Sequence, residues 1–184
     1  MIGTISTIMM LAAPILIIAT GGMICERSGV TNVGLDGLMS IGACTAAIVH
    51  QLLEAAGVGR ISLTVALLAA ALVSMLISVL HAIASVDLKS DQTISGTGIN
   101  LLATGITVFV CQRIYGTDRS TEFKMGMVKD RIGFYPTLYI AIVVVVLAWF
   151  ILYKTPFGMH LRACGEHPAA ADSVLELFDR LHRD

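Results

Sequence analysis

Charge is what this sequence has least of. Lys and Arg number 12 and Asp and Glu 13 in 184 residues, so charged side chains make up 14% of the chain, against roughly 25% in an average soluble domain. The net charge of −1 supplies no basic field, and no stretch interleaves Lys/Arg clusters with stacking aromatics, which argues against nucleic-acid binding. The four cysteines, Cys25, Cys44, Cys111 and Cys164, show neither CxxC nor Cys/His ligand spacing, so neither a zinc site nor a disulfide framework is expected. They read as free thiols. Catalytic patterns are missing too: no G-x-x-x-x-G-K-S/T motif, no H-E-x-x-H, no nucleophile elbow and no convincing Ser/His pair. The chain is therefore expected to be no enzyme, and to hold no metal or cofactor. His50 and His81 stand singly within apolar stretches and read as packing or interior hydrogen-bonding residues.

What is present is apolar surface. Hydrophobic residues make up 56% of the chain and its mean hydropathy is +0.84. The charges are bunched, leaving uncharged intervals at 1–25, 37–53, 61–86, 92–112 and 132–153. Each is near spanning length, since a bilayer core of about 30 Å takes roughly 17 to 25 helical residues. The fold class predicted is all-α, a polytopic transmembrane helical bundle with spans near 3–25, 37–54, 61–86, 92–113 and 133–153. The first of these lacks a basic n-region, and Cys25 is followed by Glu-Arg in place of a small-residue cleavage site, so it is expected to stay as a helix.

Three stretches hold more than packing needs. In the third span Ala66, Ala70, Ser74, Ser78 and Ala82 recur every four residues, a small-residue ladder that lets helix backbones approach in lipid. In the fourth, Gln92, Ser95, Gly96, Asn100, Thr104 and Thr107 share roughly one face. An amide in mid-span is costly without a partner. The face is either interhelical glue or the lining of a route for a polyhydroxylated solute, whose hydroxyls need amide and hydroxyl partners. Between the first two spans runs ERSGVTNVGLDG: Asn32 suits a turn, Asp36 suits a cap for the helix beginning near Gly37, and Gly29 and Gly34 suit tight turns. Glu26 and Arg27, directly at the end of a span, are either solvated or paired with another part of the protein.

Pro156 and Gly158 are expected to break the fifth span after Tyr153, and Gly165 with Pro168 to mark a second turn before the helix-forming run AAAD. Counting Lys and Arg does not orient the bundle, because each side would carry six.

The run ERSGVTNVGLDGLMSIGA resembles a signature of the permease subunits of bacterial ABC importers for nucleosides and simple sugars. SDQTISGTGINLLATGIT resembles the next polar helix of that family, and YKTPFGMHLRACGEHPAAADS its cytoplasmic coupling segment. The three agree in order over about residues 10–173. The resemblance implies a multi-pass protein of the bacterial inner membrane, the permease component of an ATP-binding cassette importer. Its partners would be the lipid bilayer, a separate ATP-binding subunit that burns the ATP, a second permease subunit and an extracytoplasmic solute-binding protein. It implies a structural loop of Glu26, Arg27, Gly29, Asn32, Gly34, Asp36 and Gly37, a solute path along the polar face of the fourth span, and a coupling segment at 154–174 containing Phe157, Gly158, Arg162, Gly165, Glu166, His167 and Ala170. Arg162 and Glu166 read as rim charges that orient the coupling contact. With that segment in the cytoplasm, loops 26–36 and 87–91 lie on the same side. The family continues into further helices, whereas here a charged tail, 175–184, diverges from near Leu175, as in a truncated permease. The alternatives are an ion-coupled secondary transporter, which would usually place a charged residue at mid-membrane, and a non-transporting membrane scaffold fragment.

Overall fold

The computed structural model describes residues 2–119 and 134–167. Its helices are α1 (Ile2–Arg27), α2 (Leu35–Ala55), α3 (Ile61–Ala82), extended by a π-helical turn at Ile83–Asp87, α4 (Gln92–Tyr115), α5 (Pro136–Lys154) and α6 (Pro156–Glu166). The first five are long and apolar enough to cross a membrane. Among the described residues there is no strand. The helices fall into two units, one containing α1, α5 and α6 and the other α2, α3 and α4.

In the first unit α1 packs against α5. Ser6, Ala13 and Thr20, seven residues apart on α1, are buried, as are Ala141 and Ala148 on α5, also seven apart. Small side chains in such heptads let the backbones come close where lipid offers no hydrophobic drive to associate. The α1 hydroxyl of Thr20 is satisfied internally, donating to the Leu16 carbonyl at 2.7 Å.

Two helix ends explain much of the irregular sequence here. Gly29 has φ +84°, its N–H donates to the Glu26 carbonyl at 3.1 Å, and that of Val30 donates to the Cys25 carbonyl at 3.2 Å. This is a Schellman ending, in which a left-handed glycine lets two orphan carbonyls be capped. Glu26 and Arg27 are exposed, and among the described residues neither makes an ion pair. Between α5 and α6, Pro156 lacks an N–H and forces Thr155 into extended conformation, at φ −116° and ψ 153°. Thr155 Oγ1 donates to the Ile151 carbonyl at 2.6 Å and accepts the Gly158 N–H at 3.3 Å. The break thus lies at Thr155 and Pro156. Gly158 belongs to α6 itself, where a Cβ would strike the Ile151 and Leu152 carbonyls. Gly165 likewise continues α6 instead of turning the chain, so a helix already runs from Pro156, twelve residues before Pro168. Pro168 and that run lie outside the described residues.

In the second unit α2 packs on both α3 and α4. The α3 ladder faces inward at Ala66, Ala70, Ser74 and Ser78 and turns outward at Ala82. Ser74 Oγ donates to the Leu38 carbonyl at 3.1 Å, and a Cβ on Gly42 would come within 2.8 Å of that hydroxyl. Asp91 caps α4, its carboxylate accepting the N–H groups of Thr93 at 2.8 Å and Ile94 at 3.1 Å. Gly116, at φ 71°, ends the helix.

Farther along α2 and α4 the thiols of Cys44 and Cys111 are in hydrogen-bond contact. Mild oxidation with copper phenanthroline is expected to remove two free thiols per chain by joining Cys44 to Cys111. Counting maleimide-reactive thiols by mass checks this. An unchanged count, with Cys44→Ser and the parent behaving alike, would contradict the parallel packing of α2 on α4.

Candidate solute and coupling sites

The polar face of α4 meets α2 at its first turn. The N-cap of α2 is Gly34, which has no side chain to receive the orphan N–H groups at the start of the helix. Asn100 does so from α4. Its Oδ1 accepts the Gly37 N–H at 2.7 Å, and its Nδ2 donates to the Val33 carbonyl at 2.9 Å. Asn32 Oδ1 accepts the Gly34 N–H at 3.0 Å, closing the turn just before. Asp36, expected as the cap, instead lies exposed in the first turn of α2 and makes no capping bond. There it complements the positive end of the helix dipole.

Three glycines make the approach possible. A Cβ on Gly96 would stand 2.8 Å from the Gly34 nitrogen, and one on Gly37 would stand 2.8 Å from Asn100 Oδ1 and 2.9 Å from its Cα. Gly34, Gly37 and Gly96 are all buried. The TNVGLDG half of the opening loop is thus the receptor for Gly96 and Asn100, much as its ERSG half closes α1.

The six polar-face residues therefore divide. Gly96 and Asn100 are occupied by α2, Thr104 donates to the Asn100 carbonyl at 2.9 Å, Thr107 to the Thr104 carbonyl at 3.1 Å, and Gln92 is half-buried with bonds of its own. Ser95 turns elsewhere: its Oγ lies 2.9 Å from Nδ1 of His81 on α3. These two border an open groove of about 370 Å³. The sequence reads His81 as a packing or interior hydrogen-bonding residue without naming its partner, which is Ser95. The signal that marks His81 is its position three residues after Ser78, at the end of the inward ladder.

On α6, Gly158, Leu161, Arg162 and Gly165 form the inner face and Phe157, His160, Cys164 and His167 the exposed one. Arg162 is no free rim charge. Its guanidinium lies over the Tyr153 ring at 4.9 Å and its Nε donates to the Gly158 carbonyl at 3.3 Å. Glu166 is exposed. A Cβ on Gly165 would strike the Arg27 carbonyl and stand 3.0 Å from the Gly29 nitrogen. The end of α6 and the ERSG turn thus touch backbone to backbone. Ala170 lies outside the described residues.

Among the described residues no group of three or more His, Cys, Asp or Glu side chains comes together as a metal site would require. His50 pairs locally with Glu54 one turn on, at 3.3 Å.

The family described as branched-chain amino acid transport system / permease component matches residues 4–174. The chain is 39% identical over 178 residues to the guanosine ABC transporter permease protein NupQ of Bacillus subtilis, covering 89% of this chain and 56% of that protein. It is 34% identical over 190 residues to the nucleoside ABC transporter permease protein NupC of Lactococcus lactis, covering 92% and 58% respectively. The chain thus spans a little over half the length of these curated relatives. No solved structure matches it.

Proposed function

The chain belongs to this permease family, and we propose that it acts as the transmembrane permease component of an ATP-binding cassette importer in the bacterial inner membrane, forming part of a path for nucleosides. Relatives named for guanosine and nucleoside favour that class over simple sugars. ATP hydrolysis resides in a separate subunit docked on α6, and a second permease subunit and an extracytoplasmic solute-binding protein complete the assembly. The observation that carries the coupling role is the α6 geometry. A short helix directly follows a span, leans on the end of α1 through Gly165, and leaves Phe157, His160, Cys164 and His167 open along one stripe. Closure of the docked ATPase would push that stripe and, through the backbone contact, move α1 as a rigid body.

Cys164 is an exposed thiol on the stripe and provides the test. A membrane-impermeant maleimide is expected to label it in inside-out vesicles and not in intact cells. Labelling should fall several-fold when a cognate ATP-binding subunit is co-expressed. Labelling from outside would overturn the orientation, and labelling indifferent to the ATPase would overturn the docking face.

A further inference from the structure

We propose that the elbow between α5 and α6 binds the phosphate of an anionic phospholipid, held by Lys154 and Arg162 over an aromatic stripe of α5. Trp149 and Tyr153 stand four residues apart and so share one face of that helix. Both are exposed. Lys154 reaches back along α5 to place its Nζ 5.5 Å from the centre of the Trp149 ring, and Arg162 reaches across from α6 to place its guanidinium 4.9 Å from that of Tyr153. Two cations from two helices are thereby gathered over neighbouring rings.

The charge of this pair is not balanced by protein. Among the described residues neither Lys154 nor Arg162 makes an ion pair, and Glu166, exposed one turn beyond Arg162, is not joined to it. Arg162 engages only Nε, on the Gly158 carbonyl, so its terminal nitrogens keep their donors. A cation over a ring also keeps its full charge, because the ring offers a quadrupole and no counter-ion. A phosphate supplies what is missing, negative charge together with acceptor oxygens that match the guanidinium fork.

The side chains leading to the rings select a lipid phosphate over a free one. Ile142 and Val146 continue the stripe at helical spacing and are exposed, while α5 buries Ala141, Ala148 and Leu152 on another face. In a helix long and apolar enough to cross a membrane, a line of aliphatic side chains ending in two rings and then two cations has the order of a phospholipid: acyl chain, interface, phosphate. Trp and Tyr favour the headgroup level, and long cationic side chains at the end of a span snorkel to it. A free phosphate would use the cations alone. Each Lys or Arg close to an anionic membrane surface strengthens association by about fivefold, so the pair distinguishes an anionic headgroup from a zwitterionic one. A phosphate shared by Lys154 on α5 and Arg162 on α6 also fastens the two helices across the extended Thr155 that separates them.

Trp149 is the one tryptophan of the chain, so its fluorescence reports on this site directly. The purified chain is placed in nanodiscs of phosphatidylcholine and phosphatidylglycerol at a fixed ratio, with bromine on the acyl chains of one lipid or of the other. Headgroup composition then stays constant, and quenching tells which lipid lies against the ring. Brominated phosphatidylglycerol is expected to show an apparent affinity about fivefold or more above that of brominated phosphatidylcholine. Lys154→Gln and Arg162→Gln should each lower that preference by about two- to fivefold, and the double variant should abolish it. Arg113→Gln, in the last turn of α4, should leave it unchanged. Quenching by brominated phosphatidylcholine needs only an open stripe and should persist throughout, which shows that α5 is still inserted; if the double variant does not insert, the single variants decide. Equal quenching by the two lipids, or a preference that survives loss of both cations, would overturn the inference. So would an absence of quenching by either lipid, which would mean that protein covers the stripe, and a preference abolished by millimolar inorganic phosphate, which would assign the cations to a free anion.

Discussion

Asn100→Leu is expected to remove most of the protein from the membrane, and not merely to slow transport through a normally assembled chain. The leucine leaves the Gly37 N–H and the Val33 carbonyl without the partners they have at 2.7 and 2.9 Å. An unsatisfied buried group costs about 1–3 kcal/mol, a large share of the stability of an ordinary domain; the part-buried Gly37 N–H carries that cost, while the Val33 carbonyl is exposed and adds less. The branched side chain adds a steric term, because Gly37 already lies so close that a single Cβ would collide with Asn100. Thr104→Leu provides the contrast. Thr104 is exposed, and its hydroxyl donates only to its own helix, at the Asn100 carbonyl, so its loss should change the protein level by less than a factor of two. Immunoblotting of membranes, with thermal melting of the detergent-purified chain, separates the two. Equal levels for Asn100→Leu and the parent would show that the amide does not hold α2 in place.

The contrast between these two residues marks how far the sequence could be read. Bunched charges located the five spans, because a charge in hydrocarbon is costly whatever surrounds it. The observed helices depart from the uncharged intervals mainly at their ends, as at Leu35 and Pro136. The break before α6 was legible because proline acts on its own neighbours. By contrast, the role of Asn100 depends on a residue 63 positions away, and that of Gly165 on the turn after α1. A glycine shows only that a side chain is absent and says nothing of what fills the space. Asp36 misled for a related reason: capping propensity is local, but here the bond comes from another helix. Arg162 misled because a charge expected at a rim had an aromatic ring, Tyr153, within reach on the preceding helix. For His81 an interior hydrogen bond was legible but its partner was not, because Ser95 follows only after a turn and a new helix.

Gly165→Val is expected to uncouple the protein while leaving its spans inserted. The site lies at the end of α6, against the backbone of Arg27 and Gly29, outside the apolar stretches that insert α1 and α5. A Cβ there has no free space, since it would meet the Arg27 carbonyl directly and the Gly29 nitrogen at 3.0 Å. These atoms are main chain and cannot rotate aside. Gly29 holds φ +84°, a left-handed conformation that resists remodelling to make room. The valine therefore costs about 1–3 kcal/mol as overpacking unless α6 swings away from the end of α1. Because α6 is joined to α5 through the extended Thr155, held by its own hydroxyl bonds, swinging is the easier relaxation. A displaced α6 can still present Phe157 and His160 to the ATPase, so co-purification should fall no more than about two- to threefold, within about 0.7 kcal/mol. Uptake should fall at least tenfold, because the contact proposed to pass movement from α6 to α1 would be lost. His160→Ala, on the opposite stripe of the same helix, should show the reverse order, weakening docking first. Uptake and docking falling in parallel for Gly165→Val would mean that Gly165 serves only to fold α6, and that movement reaches the spans through α5 alone.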